Sequence, residues 1–184
     1  MKKVLLILII IPFFISCSGK LTRSKAKKQI IEVYKYPKPV TREITIYDNT
    51  FGKSGTVYEL KKFKKLGLLD YTDTGNYRRR GSVRATLTEK GKKYYIRDAR
   101  SNSMEKNIIV KVAELHFDKV TGIKFNNEKN TAYVEYEVRQ TNITPFGQVK
   151  NILRFKDIED KVIKKTAYFE KFDDGWRIHK KDYK

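Results

Sequence analysis

The chain has 184 residues, with 41 Lys and Arg against 21 Asp and Glu, a net charge of +20, and 12% aromatic residues. Its apolar and aromatic content excludes a disordered chain and suffices for one core or two small ones. A single cysteine and two histidines exclude a disulfide framework, and no metal-site or phosphate-loop spacing is present.

In chain order, Lys2 and Lys3 precede an apolar run from Val4 to Ile15 that contains Pro12. The run falls short of the roughly 20 residues of a membrane-spanning helix and reads as an export signal. It ends in Phe14-Ile15-Ser16-Cys17. This segment resembles a bacterial lipoprotein signal, in which a small residue stands just before an invariant cysteine. The resemblance implies cleavage before Cys17 and acylation of its thiol. Residues 1–16 are then a signal peptide, 17–20 a lipidated tether, and the protein a lipid-anchored component of the cell envelope. The competing reading of a lone cysteine is a buried free thiol.

Thr22 is placed as an N-cap, with Leu21 and Ala26 forming a hydrophobic staple around it. Ala26, Ile30, Ile31 and Tyr34 share one helical face, while Lys25, Lys27 and Lys28 face water. Pro37 ends this helix, Pro39 keeps the chain extended, and Glu43 to Tyr47 reads as a short strand. Thr56-Val57-Tyr58-Glu59 reads as a capping box for a second helix. Val57, Leu60, Phe63 and Leu66 form its apolar side, and Gly67 and Leu68 form a Schellman stop. A loop over 73–81 follows. Val83, Ala85 and Leu87 then alternate with Arg84, Thr86 and Thr88 as a half-buried strand, Thr88 to Gly91 turns the chain, and Tyr94 to Ile96 returns.

Residues 97–106 are polar and read as a linker between a basic subdomain, 21–100, and a β subdomain, 101–184. The second part reads as strands at Ile108–Phe117, Thr131–Thr141 and Val162–Phe172, with Asp173-Asp174-Gly175 as a hairpin turn before Trp176–His179. Pro145-Phe146-Gly147 breaks the chain between strands. The expected fold class is therefore α+β: an N-terminal helix–helix–hairpin subdomain, winged-helix-like, followed by an antiparallel sheet of about four strands.

The stretch FKKLGLLDYTDTGNYRRRGSVRATLTEKGKKYY resembles the recognition-helix-and-wing segment of winged-helix repressors. In that family the wing arginines meet DNA phosphates, which implies such a role for Arg78, Arg79 and Arg80. An exported chain does not meet the genome, so no nucleic acid is expected as a partner unless the export reading fails. LTRSKAKKQI, ATLTEKGKKYYI, VTGI and FDDGWRI together resemble a group of small bacterial envelope lipoproteins. That resemblance implies an envelope location and no catalytic residues.

Residues 20–100 carry 22 basic and 8 acidic side chains, against 17 and 13 over residues 101–184. The asymmetry points to a basic surface in the first half that meets something anionic, with plain solubility as the competing reading. Its expected members are Lys61, Lys62, Lys64 and Lys65 on the second helix, and Arg78, Arg79, Arg80, Arg84, Lys90, Lys92 and Lys93 in or beside the hairpin. If both elements pack through Leu60, Phe63 and Leu87, the charges merge beside the tether.

Catalytic signals are sparse. His116 reads as a packed or edge residue, Asp173 and Asp174 as a turn, and Glu135 and Glu137 as alternating strand charge. Trp176, Tyr133, Tyr168 and Phe146 are placed either as core or as an aromatic ligand platform. The expected function is a non-enzymatic, membrane-anchored envelope protein. Beyond the membrane itself, its partner is an anionic lipid, a polysaccharide or another envelope protein. It uses no metal and no cofactor beyond the lipid on Cys17. An envelope enzyme with an unrecognised site is the alternative.

Overall fold

The computed structural model describes residues 19–49, 53–74, 82–99, 101–126, 128, 130–150 and 157–179. Cys17 and Arg78, Arg79 and Arg80 lie outside the described residues.

Helix α1 spans Arg23–Tyr34. Thr22 caps it by accepting the Lys25 N–H, Leu21 and Ala26 are buried on either side of the cap, and Lys35 closes it at φ 55°. Strand β1, Lys38–Asp48, follows. Helix α2 spans Lys53–Lys65, and β2, Leu69–Asp73, and β3, Val83–Leu87, form a hairpin after it. A single helical turn, α3 at Glu89–Lys92, leads into β4, Tyr95–Asp98. The 22-residue strand β5 runs Glu105–Asn126 and β6 runs Thr131–Thr141. The turn α4, Pro145–Gln148, precedes β7, Lys161–Phe172, and β8, Gly175–Ile178.

All eight strands join one antiparallel sheet in the order β2-β3-β1-β5-β6-β7-β8, with β4 paired to β5 off that path. This overturns the expected helix–helix–hairpin subdomain followed by a four-stranded sheet. The strand read as Glu43–Tyr47 is eleven residues long and pairs with β3 on one side and β5 on the other. The strands β2 and β3 that flank the supposed wing are thus integral to the sheet, and only the local helix-then-hairpin order of a winged helix is present.

β5 is longer than its alternation shows because it is bulged. Val112, Asp118 and Thr121 are each an extra residue against the partner strand. Each bulge shifts the period-two pattern by one. So Ile108, Val110, Val112, Leu115, Phe117, Val120 and Ile123 all reach a core despite their uneven spacing.

Two cores result. Under α2, Val57, Leu60 and Phe63 pack on Ile44, Val83, Ala85, Val110 and Phe146. Under α1, Ala26 and Ile30 pack with Ala132, Val134, Tyr136, Val138, Ala167 and Phe169. In the second core Tyr136 lies against Tyr34, Tyr36 and Phe117 with ring centroids 6.0–6.5 Å apart, and burial pushes its phenol well above the usual range.

The capping box is also corrected. α2 begins at Lys53, a turn before Thr56, whose hydroxyl donates to Asp48 Oδ2 at 2.6 Å. Glu59 is buried and its charge acts on the buried Arg42 guanidinium, which also bonds the Phe146 carbonyl at 3.3 Å. The pair that resembled a cap instead fixes α2 to β1. The Schellman stop is present: Gly67 has φ +66°, its N–H reaches Lys64 O, and the Leu68 N–H reaches Phe63 O.

Candidate anion-binding end

The α2 stop, α3 and β3 are drawn together by close backbone contacts. Thr88 caps α3 through the Gly91 N–H and donates its own hydroxyl proton to Gly67 O at 2.7 Å. Gly91 sits so near the chain that an added Cβ would lie 1.9 Å from Leu68 O. No side chain larger than hydrogen fits without a backbone shift. Leu60 and Phe63 are in the core beneath, and Leu87 packs against it.

This junction collects the lysines of the second helix and the hairpin. Lys61, Lys65 and Lys93 are exposed. Lys62 reaches Lys150 O at 2.9 Å and lies over the Tyr58 ring. Lys64 pairs with Asp70 at 3.2 Å and lies over Tyr71. Lys90 donates to Leu66 O at 2.8 Å, and Lys92 pairs with Glu89 at 2.6 Å. Lys90 thus puts a cation at the C-terminal end of α2, where it complements the helix dipole. Lys62, Lys64, Lys90 and Lys92 therefore already have partners within the protein.

The register places the remaining charge differently. Val83 and Ala85 face the core under α2, so Arg84 and Thr86 project from the other side of β3. Arg84 stands opposite Thr72 on β2 and Tyr47 on β1, and Tyr47 stands opposite Lys106 on β5. Four strands thus contribute one row, Thr72–Arg84–Tyr47–Lys106. The Arg84 guanidinium lies 5.6 Å from the Tyr47 ring centre. Ser103 and Thr86 complete an open cleft of about 480 Å³ around these residues. Among the described residues neither Arg84 nor Lys106 has a carboxylate partner. Lys106 was assigned to the linker, because only pairing with β1 brings it to Arg84.

Gly19 and Lys20, the described part of the stretch read as a tether, lie elsewhere, lining a cleft with Phe125 and Trp176 near the far end of β5 from Lys106. At about 3.3 Å per residue, those ends are at most about 60 Å apart along the bulged strand. The lysine cluster and the tether do not merge into one surface.

The ionisable cluster farther along β5 has a different chemistry. Glu114 accepts from Lys111, from Asn142 at 2.7 Å and from His116 at 2.9 Å. The Lys111 ammonium first, then the Asn142 amide and His116, hold its carboxyl down to about 2. A carboxylate so held is ionised at neutral pH with its oxygens occupied, which makes it a poor general base. Glu137 is taken by Lys119 at 3.3 Å. No group of three His, Cys, Asp or Glu suited to a metal ion occurs among the described residues. The four aromatics grouped in the sequence separate: Phe146 is fully buried, Tyr133 and Tyr168 meet edge to face at 5.2 Å, and Trp176 packs on Phe125 at 5.7 Å. No family model matches the chain, nor does any curated protein or solved structure.

Proposed function

We propose that the protein is an envelope lipoprotein, held by a lipid on Cys17, that binds an anionic polymer or partner through the end of the sheet carrying Arg84 and Lys106. The observation that carries this reading is the Arg84–Tyr47–Lys106 row, two cations flanking a ring in an open cleft without a carboxylate partner among the described residues. A guanidinium in such a place offers paired donors to a carboxylate or phosphate.

The position of the tether narrows the partner. An anchor three residues before Lys20 lies within about 11 Å of that residue, which lines the cleft beside Trp176. The basic end then points away from the anchoring bilayer, whose field is screened beyond about 8 Å at physiological salt. A polyanion or acidic protein beyond the headgroups suits this better than the bilayer itself.

The test compares the full chain with R84A/K106A on immobilised dextran sulfate and on anionic vesicles. The expected result is salt-sensitive binding to the polymer, weakened at least tenfold in the double variant, whose melting temperature stays unchanged. Polymer binding that ignores salt, or that the double variant retains, removes this cleft from the account. Mass spectrometry of the native protein checks the anchor: a diacyl adduct at Cys17 is expected, and an unmodified Cys17 overturns it.

A further inference from the structure

At the other end of the sheet, where β5 and β8 approach the tether, a second cleft of about 280 Å³ opens. Its walls come from Trp176, Phe125, Asn126, Asn130, Lys171 and Lys20. A cleft near 300 Å³ lies at the small end of small-molecule sites and suits one ring-sized group. We infer that this cleft binds an anionic sugar unit, a pyranose bearing a carboxylate or phosphate.

Each part of the wall matches one part of such a ligand. Trp176 and Phe125 meet at 65° with centroids 5.7 Å apart, so two aromatic surfaces meet the cleft at different angles. An aromatic face attracts the weakly positive C–H groups that line one side of a pyranose. Asn130 supplies an amide with a carbonyl acceptor and two N–H donors, the pairing that adjacent hydroxyls use, and Asn126 lines the wall beside it. Lys171 and Lys20 supply two ammonium groups, and neither has a carboxylate partner among the described residues.

The backbone holds these groups in place. Asn130 sits in the left-handed region at φ 49°, and its carbonyl accepts the Lys171 N–H at 2.8 Å, tying the β5–β6 connection to β7. Lys171 pairs directly with Trp176 across β7 and β8. Gln29 of α1 bonds the Trp176 carbonyl at 2.5 Å, which fixes the strand under the ring. A neutral sugar would use the rings and the amide but leave both ammonium groups unpaired. A bare anion would leave the rings and the amide idle. Only a ligand with both features uses the whole wall.

The chain's single tryptophan makes the test direct. The full-length protein is titrated with glucuronic acid, glucose 6-phosphate, glucose and inorganic phosphate, and Trp176 fluorescence is recorded. Saturable change is expected with glucuronic acid or glucose 6-phosphate, and whichever binds tighter identifies the anionic group. Glucose and phosphate should each bind at least tenfold more weakly. Lys171→Met, which keeps the aliphatic stem, should weaken the acidic sugar at least tenfold while the melting temperature holds. R84A/K106A should bind it as wild type does, which separates this site from the distant cleft. No saturable change with either acidic sugar, equal binding of glucose or phosphate, or full binding by Lys171→Met each overturns the inference.

Discussion

Under α2, Leu60 and Phe63 close a core on Ile44, Val83 and Val110, and under α1, Ala26 and Ile30 close another on Val134 and Phe169. Both use one helix laid on alternating strand residues, and both share β5. Their exposed charges are arranged differently. Beyond Lys111 the sheet interleaves signs: Lys111 and His116 with Glu114, Lys119 with Glu137, His179 with Glu170, and Arg177 with Asp174. Arg84 and Lys106 at the α2 end, like Lys171 and Lys20 in the cleft at the other, have no such partner among the described residues. Interleaved surface pairs contribute little stability each but leave no net field, whereas an unbalanced group attracts a counter-charge from outside. The lesson is that the basic excess counts as a binding signal only where the fold leaves it unbalanced.

The strongest way to break the symmetry of the two cores is to open a cavity in each. Phe63→Ala and Phe169→Ala remove fully buried rings and should each cost about 3–5 kcal/mol. Because β5 joins both cores, urea unfolding followed by fluorescence and by circular dichroism should give one shared transition in each variant. A variant in which the two signals separate would show that the ends unfold independently.

A smaller loss is expected at the α2–α3 junction. Gly91→Ala forces a methyl group against Leu68 O, and overpacking of this kind costs about 1–3 kcal/mol. Unchanged stability would mean that the close approach of α3 to Leu68 is absent in solution.

The mildest effect concerns acid. Glu114 is held near 2 in the folded chain, below its ordinary 4.5. A depressed carboxyl contributes stability in full above the unfolded value and loses it as pH falls through the folded one. The urea midpoint should therefore fall between about pH 4.5 and 2, and Glu114→Gln should flatten that part of the curve. An acid limb identical in the variant would remove Glu114 from the account.

Local features were legible in the sequence because their signals are local. Thr22 caps α1, Gly67 stops α2, and Ala132, Val134, Tyr136 and Val138 face inward from β6, as their spacing indicates. The single sheet was hidden because its evidence is long-range. β1 joins the halves only through pairing with residues 105–115, and three bulges break the alternation that would have shown β5 at full length. Thr56 and Glu59 carry the pattern of a cap, yet Asp48 and Arg42, distant along the chain, claim them. Both clefts escaped for the same reason: Arg84 and Lys106, like Asn130 and Trp176, meet only across strands.

The bond from Gln29 to Trp176 O also bears on how the protein avoids self-association. His179 N–H bonds Tyr168 O, so by antiparallel alternation the Trp176 carbonyl, three residues back, faces away from β7. An open carbonyl on a terminal strand is a template for another chain, the first step towards swapped dimers or fibrils. Gln29 occupies it, and α1 lies beside a strand only four residues long. A nick that released α1 would uncover this edge, so proteolysis ahead of β1 would turn a well-guarded sheet into one prone to stacking.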